Sequence, residues 1–238
     1  MHQVTLDRWS RLASPIHRLD ARAKIVGALA LLVSLVAFRP AEAWLPAGYF
    51  ALVMVLAAVA RLPLAGVLVR ATVVLPFAGP VAALSLFGGD AARGAVSLAK
   101  SYVCACIILF LLGTTSLPAL LRGLESLGAP RFFLIVAQFL YRYLFVLSEQ
   151  AQHMMQARRC RAPRSSRRGL AQFASGALAA LFARSYGRAE RIHQAMLARG
   201  FQGHLALAPA SALGRAEWFF LASVAVAVAL LQLTPWTP

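Results

Sequence analysis

Long apolar stretches separated by short polar breaks dominate the hydrophobic pattern of this chain. Five stretches are long enough to predict membrane-spanning helices, because a span takes about 20 residues, or somewhat fewer when the flanking side chains reach the head groups. They cover residues 25–38, 43–60, 64–87, 95–116 and 216–233. Arg22 and Lys24 precede the first stretch, and we expect both to extend towards the lipid head groups.

Prolines and small residues predict how these helices bend and pack. Pro76 and Pro80 should kink the third stretch, since each removes a backbone donor. Small residues that recur every fourth position allow helix backbones to approach closely in lipid. Such residues are Ala43, Ala47 and Ala51 in the second stretch and Ala225 and Ala229 in the fifth.

A sixth apolar stretch, residues 132–147, has a different character. It is interrupted by Gln138 and Arg142, and both of its flanks are rich in arginine. A spanning helix would place one of these flanks on the wrong side of the membrane. We therefore interpret it as a helix that is buried or lies at the interface within a cytoplasmic segment. The alternative is a true span with inverted topology downstream.

Composition supports a membrane location for much of the chain. Of the 238 residues, 60% are hydrophobic and only 13% are charged, about half the charged share of a soluble domain. A water-soluble globule could not hide that much apolar surface. These values also exclude disorder, collagen and a disulfide scaffold. The predicted fold class is therefore an all-α integral membrane protein.

The basic residues decide the predicted orientation. Lys and Arg number 24 against eight Asp and Glu, and 21 of the 24 fall in residues 1–24, at Arg61 and Arg70, or in residues 117–215. Because cytoplasmic segments carry the excess of Lys and Arg, the N-terminus should be cytoplasmic and the C-terminus outside. The predicted regions are a cytoplasmic lead (1–24), a four-helix membrane region (25–116), a cytoplasmic helical region (117–215) and a last membrane helix (216–238).

Two long amphipathic helices in the cytoplasmic region are predicted to end in similar short sequences. The first should run from about residue 131 to 159, and the second carries an apolar stripe at three- and four-residue steps from Leu178. Their ends read Ala157-Arg158-Arg159 and Ala198-Arg199-Gly200. Gly200 suits a C-cap, where a left-handed residue is needed.

An arginine at a helix end can serve recognition. Its planar guanidinium can pair bidentately with a carboxylate of another protein, and a neighbouring alanine allows close approach. Arg158 and Arg199 at matched helix ends would suit a partner with two similar grooves. The alternative is that each arginine only stabilises the negative C-terminal end of its helix, by about 0.3–1 kcal/mol.

These residues resemble a known family, the transmembrane T component of energy-coupling factor (ECF) transporters. The resemblance covers nearly the whole chain and is carried by residues 14–24, 141–159 and 189–201. The third segment, which ends in Ala198-Arg199-Gly200-Phe201, is the most specific. Arg159 departs from the family pattern, which usually has Gly there, and this raises the question of how that helix ends.

The resemblance implies a mechanism with several partners. A T component couples two cytoplasmic ABC ATPase subunits to a membrane substrate-binding (S) subunit, and Arg158 and Arg199 would dock into the ATPases. The site residues it implies are Ala157, Arg158, Arg159, Ala198, Arg199 and Gly200. The chain looks most like the cobalt-transport CbiQ-like group, which implies a CbiM-like S subunit, a bacterial inner membrane and a link to cobalamin biosynthesis. ATP hydrolysis would belong to the partners, so the chain itself would be no enzyme.

Other functions fit the sequence less well. Residues 94–101 nearly copy a phosphate-binding loop, but Ala99 replaces the second glycine. Met1 and His2 could offer an amine and an imidazole to a metal but have no second ligand cluster near them. His153 and Cys160 are seven residues apart and could share a helix face, but ordinary packing explains them better, so no metal and no cofactor is predicted. The arginines around residues 158–168 lack interleaved aromatics for nucleic acid, and membrane lipid explains them better. A T component for nickel or a vitamin, a stand-alone permease and a membrane-bound biosynthetic enzyme remain as alternatives.

Overall fold

The protein is described by a computed structural model that covers residue 14 and residues 16–37, 45–87, 91–161, 167–203 and 214–233. Within these ranges the chain is helical and contains no β-strand, which confirms the predicted all-α class. A short 3-10 turn, Ile16–Arg18, precedes the first α-helix. The helices are α1 Ala21–Ala37, α2 Leu45–Val59, α3 Leu64–Ala71, α4 Leu75–Phe87, α5 Ala91–Thr114, α6 Leu117–Ser126, α7 Arg131–Arg161, α8 Arg167–Ala198 and α9 Arg215–Leu233.

The chain divides into two compact units. Residues 1–128 and 209–238 form the first unit, and residues 129–208 form the second. In the first unit α5 is the central helix, since α1, α2, α3 and α4 all pack against it. Its core includes Leu35, Tyr49, Val53, Val67 and Ile107, which are almost fully buried. Burial of such side chains stabilises a helix bundle through close packing.

The segment that leads into α1 is anchored by polar contacts. Asp20 caps α1, because its Oδ1 accepts a hydrogen bond of 3.1 Å from the backbone N–H of Arg22. Lys24 is only 3% exposed, and its Nζ donates to the carbonyl oxygens of Thr114, at 3.0 Å, and His17, at 3.2 Å. The expectation that Lys24 extends towards lipid head groups is therefore wrong. Carbonyls at the C-terminal end of α5 attract the ammonium group more strongly.

Glycines mark the closest helix contacts in the first unit. A Cβ atom on Gly48 of α2 would lie 2.7 Å from the Leu231 side chain of α9, and one on Gly123 of α6 would lie 2.9 Å from Ile25. Ala47, Ala51, Ala225 and Ala229 are instead exposed, and Ala43 lies outside the described residues. Within the first unit the closest described helix contacts are therefore made at glycines and not at these alanines.

Prolines interrupt the third apolar stretch. A 3-10 segment, Thr72–Val74, separates α3 from α4 and ends two residues before Pro76. Because Pro76 has no backbone N–H, the carbonyl of Thr72 accepts the backbone N–H of Leu75 instead, which is the 3-10 pattern. The Thr72 hydroxyl in turn donates to the carbonyl of Val69 at 2.6 Å. The chain therefore changes helix type at the prolines, and Pro80 is accommodated inside α4.

Four described helical segments are long and apolar enough to cross a membrane: Leu64–Ser85, Ala92–Thr114, Arg131–Arg161 and Arg215–Gln232. Three of them match predicted spans. The helices α1 and α2 have 17 and 15 residues, so at 1.5 Å per residue they reach about 26 Å and about 22 Å, less than a hydrocarbon core of about 30 Å. Residues 38–44, which flank both helices, lie outside the described residues. The fourth of these segments is α7, whose apolar stretch the sequence analysis interprets as a buried or interface-lying helix; its length and composition suit the alternative of a true span.

Candidate functional site

The first of the two predicted signatures lies inside a helix. The helix α7 continues to Arg161, so Arg158 is almost one turn before its end and Arg159 is an ordinary helical residue. Arg159 therefore has no left-handed conformation to adopt, and an arginine fits this position without backbone strain. The predicted helix, from about residue 131 to 159, agrees with α7 within two residues at its C-terminal end.

The second signature forms the predicted helix end. The backbone N–H of Phe201 donates to the carbonyl of Met196, and that of Gly200 donates to the carbonyl of Leu197, both at 3.0 Å. Gly200 has a φ of 78°. These bonds form a Schellman motif with Gly200 at C′ and Arg199 at the C-cap. The prediction for Gly200 is confirmed, and Arg199 is exposed at the helix end.

The helices α7 and α8 run antiparallel beside each other, so the two arginines lie at opposite ends of the pair. Arg158 shares a cavity with Phe173 near the start of α8. Arg199 shares another cavity with Gln138 and Arg142 near the start of α7. Since 16 to 20 helical residues separate this region from Arg158, the two arginines are about 25–30 Å apart along α7.

Arg158 lies at a basic concavity, which we call the Arg158 cavity. Its guanidinium Cζ is 4.9 Å from the centroid of the Phe173 ring, the geometry of a cation–π contact. The cavity has a volume of about 780 Å³. Its described lining consists of Gln150, His153, Met154, Ala157, Arg158, Arg161, Gly169, Phe173 and Arg184. That lining contains three guanidinium groups and no carboxylate.

Arg199 lies at a smaller concavity, which we call the Arg199 cavity. Its volume is about 420 Å³, and Arg142 contributes a second guanidinium to it. The Arg142 Cζ is also 6.0 Å from the centroid of the Tyr143 ring. No carboxylate is present in the described lining of this cavity either. Both cavities can therefore attract anionic groups, and Ala157 and Ala198 leave the neighbouring backbone accessible.

An apolar groove of about 440 Å³ adjoins the Arg199 cavity, with which it shares Phe139, Tyr143, Ile192 and Met196. Residues from both helices line it, including Phe139, Tyr143, Leu147, Phe182 and Tyr186. Phe182 and Tyr186 are 72% and 66% exposed. Large apolar side chains that stay exposed on adjacent helices indicate a surface that lipid or another protein covers.

The other candidate sites have ordinary structural surroundings. Residues 94–101 are part of α5, and Gly94 packs closely against Ser85 and the carbonyl of Ala82, so this segment forms no loop. His153 Nε2 lies 3.8 Å from the Glu149 carboxylate, one turn away, and Cys160 is exposed. Within the described ranges no three His, Cys, Asp or Glu side chains come together as a metal site would require. His2 lies outside these ranges.

Comparison with known proteins decides the family. Residues 13–208 match the family model CbiQ, described as cobalt transport protein. The chain belongs to this family. The match includes α1 to α8 and both signature arginines. The CbiQ assignment confirms the predicted likeness to the cobalt-transport group and identifies the chain as a multi-pass membrane protein of a cobalt transport family.

A relative that carries the same name supports the CbiQ assignment. The chain is 32% identical over 179 residues to the cobalt transport protein CbiQ of Rhodobacter capsulatus. The aligned region covers 75% of this chain and 70% of the relative. The aligned length is therefore most of both proteins.

The structure adds residues that the sequence analysis did not single out. Phe173, Arg161 and Arg184 join Arg158 at one cavity. The spacing of three between Arg158 and Arg161 places them on one face of α7 and could have indicated this pair. Phe173 and Arg184 come from α8, and no local spacing reports that contact.

Proposed function

We propose that this chain is the coupling subunit of an ECF-type importer for cobalt. The observation that carries the proposal is the position of Arg158 and Arg199 at opposite ends of the antiparallel pair α7 and α8. One rigid element thereby offers two separate basic contact points, about 25–30 Å apart. A pair of ATPase subunits that move together or apart on ATP binding would displace the two ends of this element.

The ATPases would be held through charge-assisted hydrogen bonds. A guanidinium presents a planar fork of donors, which pairs bidentately with a carboxylate. Ala157 and Ala198 precede the two arginines and leave room for a partner backbone. Gly200 ends α8 directly after Arg199, so the guanidinium lies at a helix end where a partner can reach it.

The membrane substrate-binding subunit would contact the apolar groove beside the Arg199 cavity. Exposed aromatic side chains from both helices line this groove, and apolar contact suits a partner that itself lies in the membrane. In this arrangement movement of α7 and α8 by the ATPases would tilt the substrate-binding subunit. Cobalt as the substrate follows from the family, and a CbiM-like protein would bind the metal.

The same proposal specifies how the chain is oriented in the membrane and which subunits hydrolyse ATP. The N-terminus would lie in the cytoplasm, because residues 1–24 and 117–215 carry 19 of the 24 Lys and Arg. The ATPases would then meet the signature arginines on the cytoplasmic side of a bacterial inner membrane. ATP hydrolysis would take place in the ATPases, and this chain would transmit motion without catalysing a reaction.

Co-purification of the ATPases with the chain tests the proposal. The chain is expressed with the ATPases and the substrate-binding subunit of a cobalt importer, and the ATPase yield is measured after membrane extraction. Arg158→Gln with Arg199→Gln should release the ATPases. Arg122→Gln with Arg191→Gln removes the same charge at two exposed arginines outside the signatures and outside the lining of the two cavities, and should leave the yield unchanged.

Two outcomes would contradict the proposal. Full ATPase yield with the Arg158 and Arg199 double variant would exclude these residues as the contact points. Cobalt flux through the purified chain alone in liposomes, without ATPases, would favour a stand-alone permease instead.

A further inference from the structure

The buried ammonium group of Lys24 lies near the point where α1, α5 and α6 come together. Lys24 belongs to the first turn of α1, and it donates to the carbonyl of Thr114, the last residue of α5, and to that of His17, which precedes α1. The helix α6 begins at Leu117, three residues after Thr114. We call residues 114–117 the α5–α6 joint. The side chain of Lys24 therefore ties the start of α1 to this joint.

The first turns of α1 also carry α6. A Cβ atom on Gly123 of α6 would lie 2.9 Å from the Cδ1 of Ile25 and 3.2 Å from the Cβ of Ala21. Among the described helices, α6 packs chiefly against α1. Residues 127–130 separate α6 from α7, and Gly128 has a φ of 94°. A force on α7 that travels along the chain therefore reaches α6 first, and α6 passes it to the membrane helices mainly through α1.

Stability alone does not explain a lysine at position 24. The residue is 3% exposed, and both acceptors of its hydrogen bonds are uncharged carbonyls. Asp20 acts on it electrostatically, while Oδ1 of Asp20 caps α1 at the backbone N–H of Arg22. Because removing an ammonium group from water is costly, an apolar side chain of similar length would be accommodated more cheaply. A buried charge fixes one arrangement of its neighbours, since any other arrangement leaves it without its acceptors.

We propose that Lys24 is a positioning residue for coupling, which holds the α5–α6 joint against α1 so that motion of α7 is transmitted through α6 to the membrane helices. This inference rests on the proposed function and deepens it. If α1 shifted along α5, the ammonium group would lose the carbonyl of Thr114 and would remain buried with one acceptor fewer. Lys24 therefore opposes slippage at the joint, whereas apolar contacts are non-directional and resist it less.

Transport by the full importer tests this inference. The importer is reconstituted in liposomes with ATPases and substrate-binding subunit, and the cobalt taken up per ATP hydrolysed is measured for each variant. Lys24→Met keeps a long apolar side chain but removes the ammonium group, and should lower this ratio about fivefold or more. Lys24→Arg keeps a cationic donor and should lower the ratio less than Lys24→Met does.

Thr115→Val is the matched control at the same joint. The Thr115 hydroxyl is buried and has no hydrogen-bond partner among the described residues, so this substitution removes no hydrogen bond. The uptake ratio should stay within about twofold of that of the unmodified chain. Thermal unfolding of the chain in nanodiscs of phosphatidylcholine separates positioning from folding. At neutral pH neither Lys24→Met nor Thr115→Val should melt at a lower temperature than the unmodified chain.

Several results would overturn the inference. An unchanged uptake ratio in Lys24→Met would show that motion is transmitted without the ammonium group. Equal losses in Lys24→Met and Lys24→Arg, or in Lys24→Met and Thr115→Val, would mean that the shape of the joint matters and the cationic donor does not. A Lys24→Met chain that melts at a lower temperature, or fails to accumulate in the membrane, would make Lys24 a folding residue.

The ATPase co-purification separates this inference from the proposed function. Lys24→Met should retain the ATPases, because it leaves Arg158 and Arg199 in place. If the Arg158 and Arg199 double variant releases the ATPases while Lys24→Met keeps the full uptake ratio, the coupling function stands and only the positioning inference fails. If the double variant keeps the ATPases, the proposed function fails.

Discussion

The guanidinium of Arg158 lies over the ring of Phe173, with 4.9 Å between its Cζ and the ring centroid. The aromatic face restricts the arginine before a partner arrives, which lowers the entropy lost on binding. Phe173→Leu keeps an apolar side chain but removes the π face, and should weaken ATPase binding about two- to fivefold, the equivalent of about 0.5–1 kcal/mol. Phe173→Trp should retain binding. Titration of the nanodisc-held chain with ATPases measures both, and equal affinities for the two variants would contradict this role.

The left-handed conformation of Gly200 predicts a local effect of substitution. Its φ is 78°, and a Cβ there would meet no atom within 4 Å. Gly200→Ala should therefore destabilise the end of α8 by about 1 kcal/mol through backbone strain alone. Hydrogen exchange of the Phe201 amide, which donates to Met196, should accelerate about fivefold. Gly187→Ala in the same helix should slow exchange or leave it unchanged, and faster exchange there would refute the conformational cause.

Alanine substitutions at two helical glycines, Gly123 of α6 and Gly176 of α8, should change stability in opposite directions. Only Gly123 lies in a close helix contact, that of α6 on α1. A Cβ on Gly123 would lie 2.9 Å from Ile25 Cδ1 and 3.2 Å from the Cβ of Ala21, whereas one on Gly176 would meet nothing within 4 Å. Gly123→Ala should lower the free energy of unfolding by about 1–3 kcal/mol. Gly176→Ala should raise it by up to about 1 kcal/mol, since alanine favours the helix. Thermal unfolding in detergent measures both, and equal shifts would contradict the close contact.

The buried ammonium group of Lys24 predicts a pH dependence. This residue precedes the apolar stretch that begins at residue 25. Burial lowers its pKa from 10.5 to about 8, partly offset by the charge of Asp20. Between these values the folded chain holds Lys24 neutral while the unfolded chain holds it charged, so the unfolded state binds more protons and stability rises with pH.

Comparison with the Lys24→Met variant isolates the contribution of Lys24 to the pH dependence of stability. From pH 8 to pH 10 the unfolding free energy of the unmodified chain should rise by about 2 kcal/mol relative to Lys24→Met. Thermal unfolding of both proteins across that range provides the measurement. Parallel pH profiles for the two proteins would show that Lys24 does not titrate in this window.

The sequence predicts the helices well because apolar length is a local property. The predicted stretches 95–116 and 216–233 agree within a few residues with α5 and α9, and Gly200 has the predicted conformation. Which face of each helix packs against its neighbours could not be predicted in the same way. A membrane helix is apolar all round, so Ala225 and Gly48 are equally plausible contact residues until a neighbour such as Leu231 is known.

Contacts distant in sequence explain the other differences. Lys24 finds its acceptor at Thr114, 90 residues away, and a single sequence reports only that a lysine stands before an apolar stretch. Arg158 and Arg199 could be identified from the sequence, because each follows an alanine near a predicted helix end. Arg184 and Phe173 belong to the Arg158 cavity only because α8 folds back along α7.

Coupled uptake is the most direct test of the account. The full importer, with ATPases and substrate-binding subunit, is reconstituted in liposomes, and cobalt uptake and ATP hydrolysis are measured together. With Arg158→Gln and Arg199→Gln combined, the account predicts loss of ATP-driven uptake while the ATPases still hydrolyse ATP. Full uptake per ATP hydrolysed in that double variant would contradict it.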